Sequence, residues 1–233
     1  FAISDNRPCG MDIGYGEVDI KCRISTDNGY SWGDEFFVAD GQGGSTNAMT
    51  TGFGDAAIVA DRKKNRLLVM MVCGRTVCWN GRWTPEKSLT DDAVNRVARL
   101  YATYDKAHKK WVWSQPEEVT NSIYNLFLDE NGNPTVSSLF IGSGKICQSR
   151  VVKKGRYYRL YCSMWTRDEG NRVIYSDDFG GSWQVLGKVA DRPAPYGDEP
   201  KIEELPDGTV VLSSRKGAGR FFNLFTFADN TYT

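Results

Sequence analysis

An eight-residue pattern that occurs twice constrains the fold of this chain more than any other feature. Segments 25–32 and 176–183 share the pattern S-x-D-x-G-x-S-W, and each follows an alternating apolar run directly. In such a turn the Asp can accept hydrogen bonds from backbone amides, the Gly can adopt a positive φ, and the Trp can cover the hairpin. The repeat therefore predicts Asp27 and Asp178 as turn residues with no catalytic role.

The spacing of the repeat predicts the architecture. Asp27 and Asp178 are 151 residues apart, and a degraded copy around Asp105 divides the interval into steps of 78 and 73. Each step has room for one four-stranded antiparallel sheet with long loops, as in a β-propeller blade. We therefore expect an all-β chain forming one domain, 1–233, of about three to four blades. Because propeller rings usually close with about 4 to 8 blades, we also expect the domain to be partial.

Strand patterns elsewhere favour the same class. Val18, Ile20, Cys22 and Ile24 alternate with polar residues, and segment 158–164 repeats the alternation. The chain has 24 glycines and 12% aromatic residues, which fits short strands joined by tight turns. The best helical candidate is the segment 89–96, which follows a Ser/Thr cap and has acidic residues in its first turn.

The six cysteines are too sparse for a disulfide-built scaffold, and their spacing does not form a paired zinc motif. We interpret them mainly as core residues, with a cross-strand disulfide between Cys147 and Cys162 left open. No metal and no cofactor is expected. The one histidine, His108, lies among lysines and is expected to be exposed.

Composition narrows the range of partners. The 29 basic and 29 acidic residues cancel, so the overall charge gives no attraction for nucleic acid or anionic lipid. The longest apolar run, 67–73, is far shorter than the roughly 20 residues that a membrane-spanning helix requires. We expect no nucleic-acid partner and no membrane span.

The repeated turns are similar to the Asp boxes of bacterial neuraminidases, and the chain resembles the six-bladed exo-sialidases that remove terminal sialic acid from glycans. Two further segments strengthen the resemblance. In 1–23, Arg7 is followed five residues later by Asp12 in a glycine-rich loop. In 198–215, Glu199 is followed by a strand, a D-G turn and a strand that ends at Arg215.

The resemblance implies a role for each of these residues. Asp12 corresponds to the general acid/base, and Glu199 to the base that activates a tyrosine nucleophile. Arg7 lines the pocket near the sugar 4-hydroxyl, and Arg215 is one of three arginines that bind the substrate carboxylate. Asp55, in the segment Gly-Asp-Ala, corresponds to an Asp on the N-acetyl side of the sugar.

Elementary chemistry accounts for these residue types. Sialic acid carries a carboxylate on its anomeric carbon, which suits the planar bidentate donors of Arg. That carboxylate would repel a carboxylate nucleophile, so a neutral Tyr with a Glu to take its proton is favoured. Sialidases with a Tyr nucleophile are a known exception to the paired-carboxylate mechanism. A carboxyl group above the sugar can then protonate the leaving oxygen and later activate water.

The resemblance also implies parts that this segment does not contain. One triad arginine belongs to an F-R-I-P motif that is absent here, and the third arginine and the nucleophilic Tyr are expected beyond Thr233. We therefore expect a retaining sialidase in the full-length protein and no turnover by the 233-residue chain alone. The substrate would be a sialylated glycoconjugate. Because of where such substrates occur, the protein is expected to be secreted, periplasmic or on the cell surface. The sequence does not indicate which sialic acid linkage is preferred, nor whether the reaction is hydrolysis or transfer.

Each assignment has a structural alternative. Arg7 alone reads as a surface cation at a strand end, Asp12 as a turn former, and Glu199 as a solvated loop acid. Arg215 has Asp207 and Glu204 as alternative surface partners. For the whole chain, the alternative to an enzyme is a noncatalytic Asp-box propeller that binds sialylated glycans or a protein partner.

Overall fold

The computed structural model describes residues 1–41, 52–86, 93–167, 170–187, 197–228 and 231–232. The regular secondary structure of these residues is mainly strand, in four mostly antiparallel sheets that form successive blades of a β-propeller and a small two-stranded pair after the last blade. The prediction of an all-β propeller with three to four blades is confirmed, with four blades present. No helix in the described part of the chain is long and apolar enough to cross a membrane.

Blades 1 and 2 come from the first half of the chain. Blade 1 consists of β1 (Ala2–Asn6), β2 (Asp19–Arg23) and β3 (Phe36–Ala39). Blade 2 is built on β4 (Phe53–Ala60), β5 (Arg66–Cys73), β6 (Arg96–Asp105) and β7 (Lys110–Trp113), with the short β8 (Glu117–Glu118) also paired to β6. A short helix, α1 (Thr120–Tyr124), and a 3-10 turn follow.

Blades 3 and 4 come from the second half. The short strand β9 (Leu139–Ile141) joins blade 3, whereas β10 (Gly144–Lys145) pairs in parallel with β4 of blade 2. Blade 3 then contains β11 (Cys147–Lys154), β12 (Tyr157–Thr166), β13 (Gly170–Ser176) and β14 (Gln184–Val185). Blade 4 contains β15 (Asp198–Glu204), β16 (Val210–Lys216) and β17 (Gly219–Phe225), followed by the small pair β18 (Phe227–Ala228) and β19 (Thr231–Tyr232).

The core lies between blades, and alternation along β5 shows how it forms. Leu68, Met70 and Val72 pack towards blade 3, whereas Val69 and Met71 pack towards blade 1, and all five are fully buried. Successive side chains of a strand point to opposite faces, so a strand between two blades must be apolar throughout. This explains the continuous run at 67–73.

The two Asp boxes have the same hydrogen bonds. In the first, Asp27 accepts from Ser31 through both the amide at 2.9 Å and the hydroxyl at 2.6 Å. In the second, Asp178 accepts from Ser182 at 2.8 and 2.7 Å in the same way. The glycine shared by the two boxes has a φ of 89° in the first and 84° in the second, as the pattern predicts.

The boxes differ in what they pack against. Trp183 is 7% exposed, but Trp32 is 43% exposed, so only the second tryptophan covers its hairpin. The second box is held against blade 2, because Arg99 donates to the carbonyl oxygens of Gly180 at 2.6 Å and Gly181 at 2.9 Å. It therefore joins two blades as well as closing a turn.

Two expectations about local structure need correction. Cys147 and Cys162 are free cysteines, because Cys147 lies opposite Tyr161 in the register, and Cys162 therefore points to the other face of the sheet. The helix expected at 89–96 lies partly outside the described residues. Its described part contains no helix, and Arg96 begins β6.

Candidate active site

One edge of the propeller collects the residues that the sequence singled out. Strand β4 begins and β5 ends at this edge, since Phe53 pairs with Cys73, and β15 begins where β16 ends, since Asp198 pairs with Arg215. Arg7 directly follows the last residue of β1. The β1–β2 loop and the β5–β6 loop leave their blades at this edge and supply further walls of the pocket.

The five predicted side chains line one cavity of about 280 Å³. Blade 1 and its loop contribute Arg7 and Asp12, blade 2 contributes Asp55, and blade 4 contributes Glu199 and Arg215. Residues nearly the whole length of the chain apart thus meet at one place. A second cavity, of about 520 Å³, lies on the other side of Arg7, Asp55 and Glu199.

Arg7 is shared by two carboxylates. Its Nη1 donates to Asp12 Oδ1 at 2.5 Å, and its Nη2 donates to Asp5 Oδ2 at 3.0 Å. The hydrogen bond to Asp5 raises the pKa of the guanidinium further, so Arg7 is a fixed cation. Arg7 is therefore a partner of the proposed acid/base and more than a surface cation at the end of a strand.

Asp55 is the carboxyl group most altered by its surroundings. Burial, together with the nearby charge of Asp5, raises its pKa to about 7, although Arg7 opposes the shift. Asp55 also has a φ of 52°, an uncommon conformation for a residue other than Gly. Near neutral pH this carboxyl group can both donate and accept a hydrogen bond in the pocket.

Arg215 lies between two acidic residues of β15. Its Nη2 donates to Asp198 Oδ2 at 2.5 Å, and its Nη1 is 3.0 Å from Glu199 Oε2. The alternative in which Arg215 pairs with Asp207 or Glu204 at the surface is wrong. Both acids lie at the far end of β15 or in its turn, and Glu204 binds Ser149 and the amide of Arg150 instead.

Glu199 also has an unusual backbone. Its φ is 34°, its carbonyl oxygen accepts from Arg220 Nη2 at 3.1 Å, and its amide donates to Asp198 Oδ1 at 2.8 Å. A non-glycine residue in this region must be held by its surroundings, and such positions are concentrated at functional sites. The contacts from Arg220 and Asp198 provide that restraint.

Sequence reasoning missed several residues of the pocket. They are Asp5, which binds Arg7 from the second cavity, and residues that line the pocket itself: Asp198, Ile13, Trp79, Asn95 and Phe140. The two acids are adjacent or nearly adjacent to predicted residues, which is the only signal that would have found them. The residues that form the walls of the pocket lie mainly in loops, and the sequence motifs do not predict the path of these loops.

An aromatic groove of about 490 Å³ adjoins the pocket and shares Trp79, Phe140 and Asp198 with it. Phe140 stacks on Trp165 with ring centroids 5.1 Å apart. Stacked rings beside a charged pocket suit a ligand with both an apolar face and polar groups.

A group of three acidic side chains lies outside the pocket, in blade 1 and its loops. Glu17, Asp19 and Asp40 bring carboxylate oxygens within 4.8 Å of one another. Asp19 already accepts hydrogen bonds from Asn6 at 2.7 Å and from the amide of Gly41 at 2.9 Å. These contacts account for Asp19 as a structural residue, and we assign no ligand to the group.

Comparison with known proteins gives a sequence relative. The sialidase of Micromonospora viridifaciens is 30% identical over 220 residues, which is 94% of this chain and 31% of that protein. The chain is similar to a segment of a bacterial sialidase. It spans about a third of the length of this curated relative. No protein-family model matches the chain.

Solved sialidase structures have the same fold. The Trypanosoma rangeli sialidase in complex with 2,3-difluorosialic acid, described as a covalent intermediate, matches with a TM-score of 0.68 at 16% identity, over 99% of this chain and 34% of that one. The intramolecular trans-sialidase of Ruminococcus gnavus in complex with oseltamivir carboxylate matches with a TM-score of 0.66 at 11% identity, over 95% and 64% of the two chains. These likenesses confirm the sialidase-type propeller.

Proposed function

We propose that this chain is part of the catalytic domain of an exo-α-sialidase, which releases terminal sialic acid from glycoconjugates with retention of configuration. One observation carries the proposal. Two arginines and four carboxyl groups from three blades line a single cavity of about 280 Å³. The alternative, a noncatalytic glycan-binding propeller, would have no need for an acid/base and a second base in one pocket.

The two arginines and Asp55 account for binding. Arg215 would meet the substrate carboxylate, with Asp198 fixing the plane of its guanidinium. Arg7 would donate to a sugar hydroxyl, in place of one of its present carboxylate partners. Asp55 would bind the acetamido side of the sugar, where a carboxyl group with a pKa of about 7 can donate to a carbonyl oxygen.

Asp12 and Glu199 account for the chemistry. Asp12 protonates the glycosidic oxygen as the bond to the anomeric carbon breaks, while Glu199 takes the proton of a tyrosine whose oxygen bonds to that carbon. In the second step the Asp12 carboxylate removes a proton from water, which attacks the anomeric carbon. The tyrosine then leaves and regains its proton from Glu199.

The tyrosine would come from another part of the full-length protein. Within the described residues, no tyrosine lines the pocket, and the arginines that line it are Arg7 and Arg215. We therefore propose that the 233-residue chain has no turnover by itself. Action on sialylated glycans also makes an extracellular, periplasmic or cell-surface location the natural one.

Release of a fluorophore from an α-sialoside tests the proposal. The full-length protein is compared with its Glu199→Gln variant and with the 233-residue chain. We expect turnover by the full-length protein, a loss of about 100-fold or more in Glu199→Gln, and none by the chain. No turnover by a folded full-length protein, with sialic acid still bound, would favour the binding propeller.

Asp12→Ala separates catalysis from structure. We expect turnover to fall by at least about 100-fold while binding of free sialic acid is retained. Lys216→Gln, next to Arg215 but outside the pocket lining, serves as a control with unchanged turnover. Equal loss of binding and turnover in Asp12→Ala would mean that Asp12 only shapes its loop.

A further inference from the structure

The edge of the propeller opposite the pocket carries a concentration of positive charge. Two neighbouring turns form it, one joining β4 to β5 and the other joining β11 to β12. Since β4 runs from Phe53 at the pocket to Ala60 at this turn, the two edges are roughly 25 Å apart. We call this surface the basic edge; it consists of Arg62, Lys63, Lys64, Arg150, Lys153, Lys154 and Arg156.

The charges of the basic edge are not neutralised by the protein. All seven side chains belong to exposed residues, and none forms an ion pair with a carboxylate in the described part of the chain. The nearby acids are already engaged. Asp61 pairs with Arg66 at 2.9 Å, and Glu204, 7% exposed, accepts from Ser149 at 2.5 Å.

The two turns are joined to each other, which fixes the cations in one arrangement. The amide of Arg62 donates to Gln148 Oε1 at 3.0 Å, and its guanidinium donates to the carbonyl of Ser149. The same guanidinium lies 4.6 Å from the ring centroid of Tyr158. Arg156 lies 4.9 Å from that of Tyr157. Cations held over rings keep their charge while losing freedom.

A cleft opens beside these turns. It has a volume of about 280 Å³ and is lined by Arg62 and Arg150, by strand residues of β4 and β11, and by Lys145, which is ion-paired with Glu203. Such a recess suits an anionic group that projects from a polymer, such as a sulfate or carboxylate, more than it suits a flat layer of headgroups.

We propose that the basic edge binds an acidic polysaccharide, with a sulfate or carboxylate in the cleft and further acidic groups along the lysines. Cation-covered rings at Tyr157 and Tyr158 are not available to stack nucleic-acid bases, which single-strand binders require. Of the large apolar residues near these turns, Val151 is exposed, at 42%, which gives little to insert into a bilayer. This surface is separate from the pocket and does not depend on its proposed activity.

Fluorescence anisotropy with a labelled heparin oligosaccharide tests the proposal in the full-length protein. The test variant is Lys63→Gln/Lys64→Gln/Lys154→Gln. The matched control, Lys106→Gln/Lys109→Gln/Lys110→Gln, removes the same charge from the exposed turn of β6 and β7, which lies on the same side of the propeller but outside the two turns of the basic edge. We expect the test variant to bind about tenfold or more weakly, with a flatter salt dependence, and the control to bind within about twofold of the parent.

Other outcomes would overturn the assignment. Equal losses in both triple variants would mean that general charge, not the basic edge, attracts heparin. Affinity for anionic phospholipid vesicles or duplex DNA at least equal to that for heparin would assign the surface to a membrane or to nucleic acid. Unchanged melting temperatures show that both variants are folded, and unchanged sialoside turnover keeps this result distinct from a failure of the proposed activity.

Discussion

At the scale of single residues, Asp55 links the pocket to the pH dependence of stability. Its pKa of about 7 in the folded chain compares with an ordinary value of 3.8. The folded state therefore holds this proton more tightly than the unfolded state does. The resulting stabilisation is fully present below about pH 4 and is lost as pH rises through about 7, by at most about 4 kcal/mol.

We expect Asp55→Asn to remove this dependence, because Asn imitates the neutral carboxyl group and tolerates a positive φ. The variant should melt at a higher temperature than the parent at pH 8 and at a similar temperature at pH 4. Melting curves across this pH range provide the measurement. Parallel pH profiles for the two proteins would show that Asp55 is not desolvated in the folded state.

Some residues of the site are predictable from the sequence, and others are not. Arg7, Asp12, Glu199 and Arg215 were found because short motifs fix their offsets along the chain. Asp5 was not predicted because an acidic residue within an alternating strand is expected to be exposed to solvent. In the structure it accepts a hydrogen bond from Arg7. Partners such as Asp5 depend on which side chains come into contact in the folded chain. A single sequence does not contain that information.

At the scale of elements, the two Asp boxes offer a direct comparison. A Cβ added at Gly180 would lie 2.4 Å from Leu68 Cδ2 of blade 2, whereas one at Gly29 would have no neighbour closer than 3.7 Å. Both glycines have a positive φ, so the backbone cost of alanine is shared. The contact with Leu68 is the difference between them.

We expect Gly29→Ala to lower the free energy of unfolding by about 1 to 2 kcal/mol through backbone strain alone. Gly180→Ala should cost about 1 to 3 kcal/mol more, because Leu68 must move. Chemical denaturation of the two variants and the parent gives both values. Equal losses in the free energy of unfolding would mean that the contact between the second box and Leu68 of blade 2 does not affect stability.

The elements themselves were readable because their signals are local. The boxes, the strand at 18–24 and the run at 67–73 follow from turn chemistry and alternation. The disulfide considered between Cys147 and Cys162 was wrong because register, offset by one residue, decides which face a side chain takes. The register between two strands is set by how they pack together. The alternation of residues within one strand does not predict that register.

At the scale of the whole molecule, the end blades expose apolar surface. In blade 4, Phe221, Phe222 and Leu224 are 55%, 66% and 60% exposed along β17. In blade 1, Tyr30 and Phe37 are 92% and 52% exposed. Exposed apolar edge strands promote pairing between molecules.

We expect the 233-residue chain, prepared by itself, to self-associate. Phe222→Ser/Leu224→Lys should shift it towards the monomer, because the changes place polar groups on this edge strand. Val151→Lys, at an exposed apolar position in blade 3, is the control and should leave association unchanged. Sedimentation velocity at several concentrations measures the effect, and a monomeric parent would contradict the prediction.

The pocket joins Arg7 to Arg215, which are separated by 207 intervening residues of sequence. Closure of a loop that long costs more chain entropy than closure of the short hairpins within each blade. Strand pairs of one blade can therefore form as soon as they leave the ribosome, while the pocket must wait until blade 4 has been synthesised and has reached blade 1. Any binding or catalysis at that edge is thus a late event in the folding of the protein, acquired only when its blades are in place.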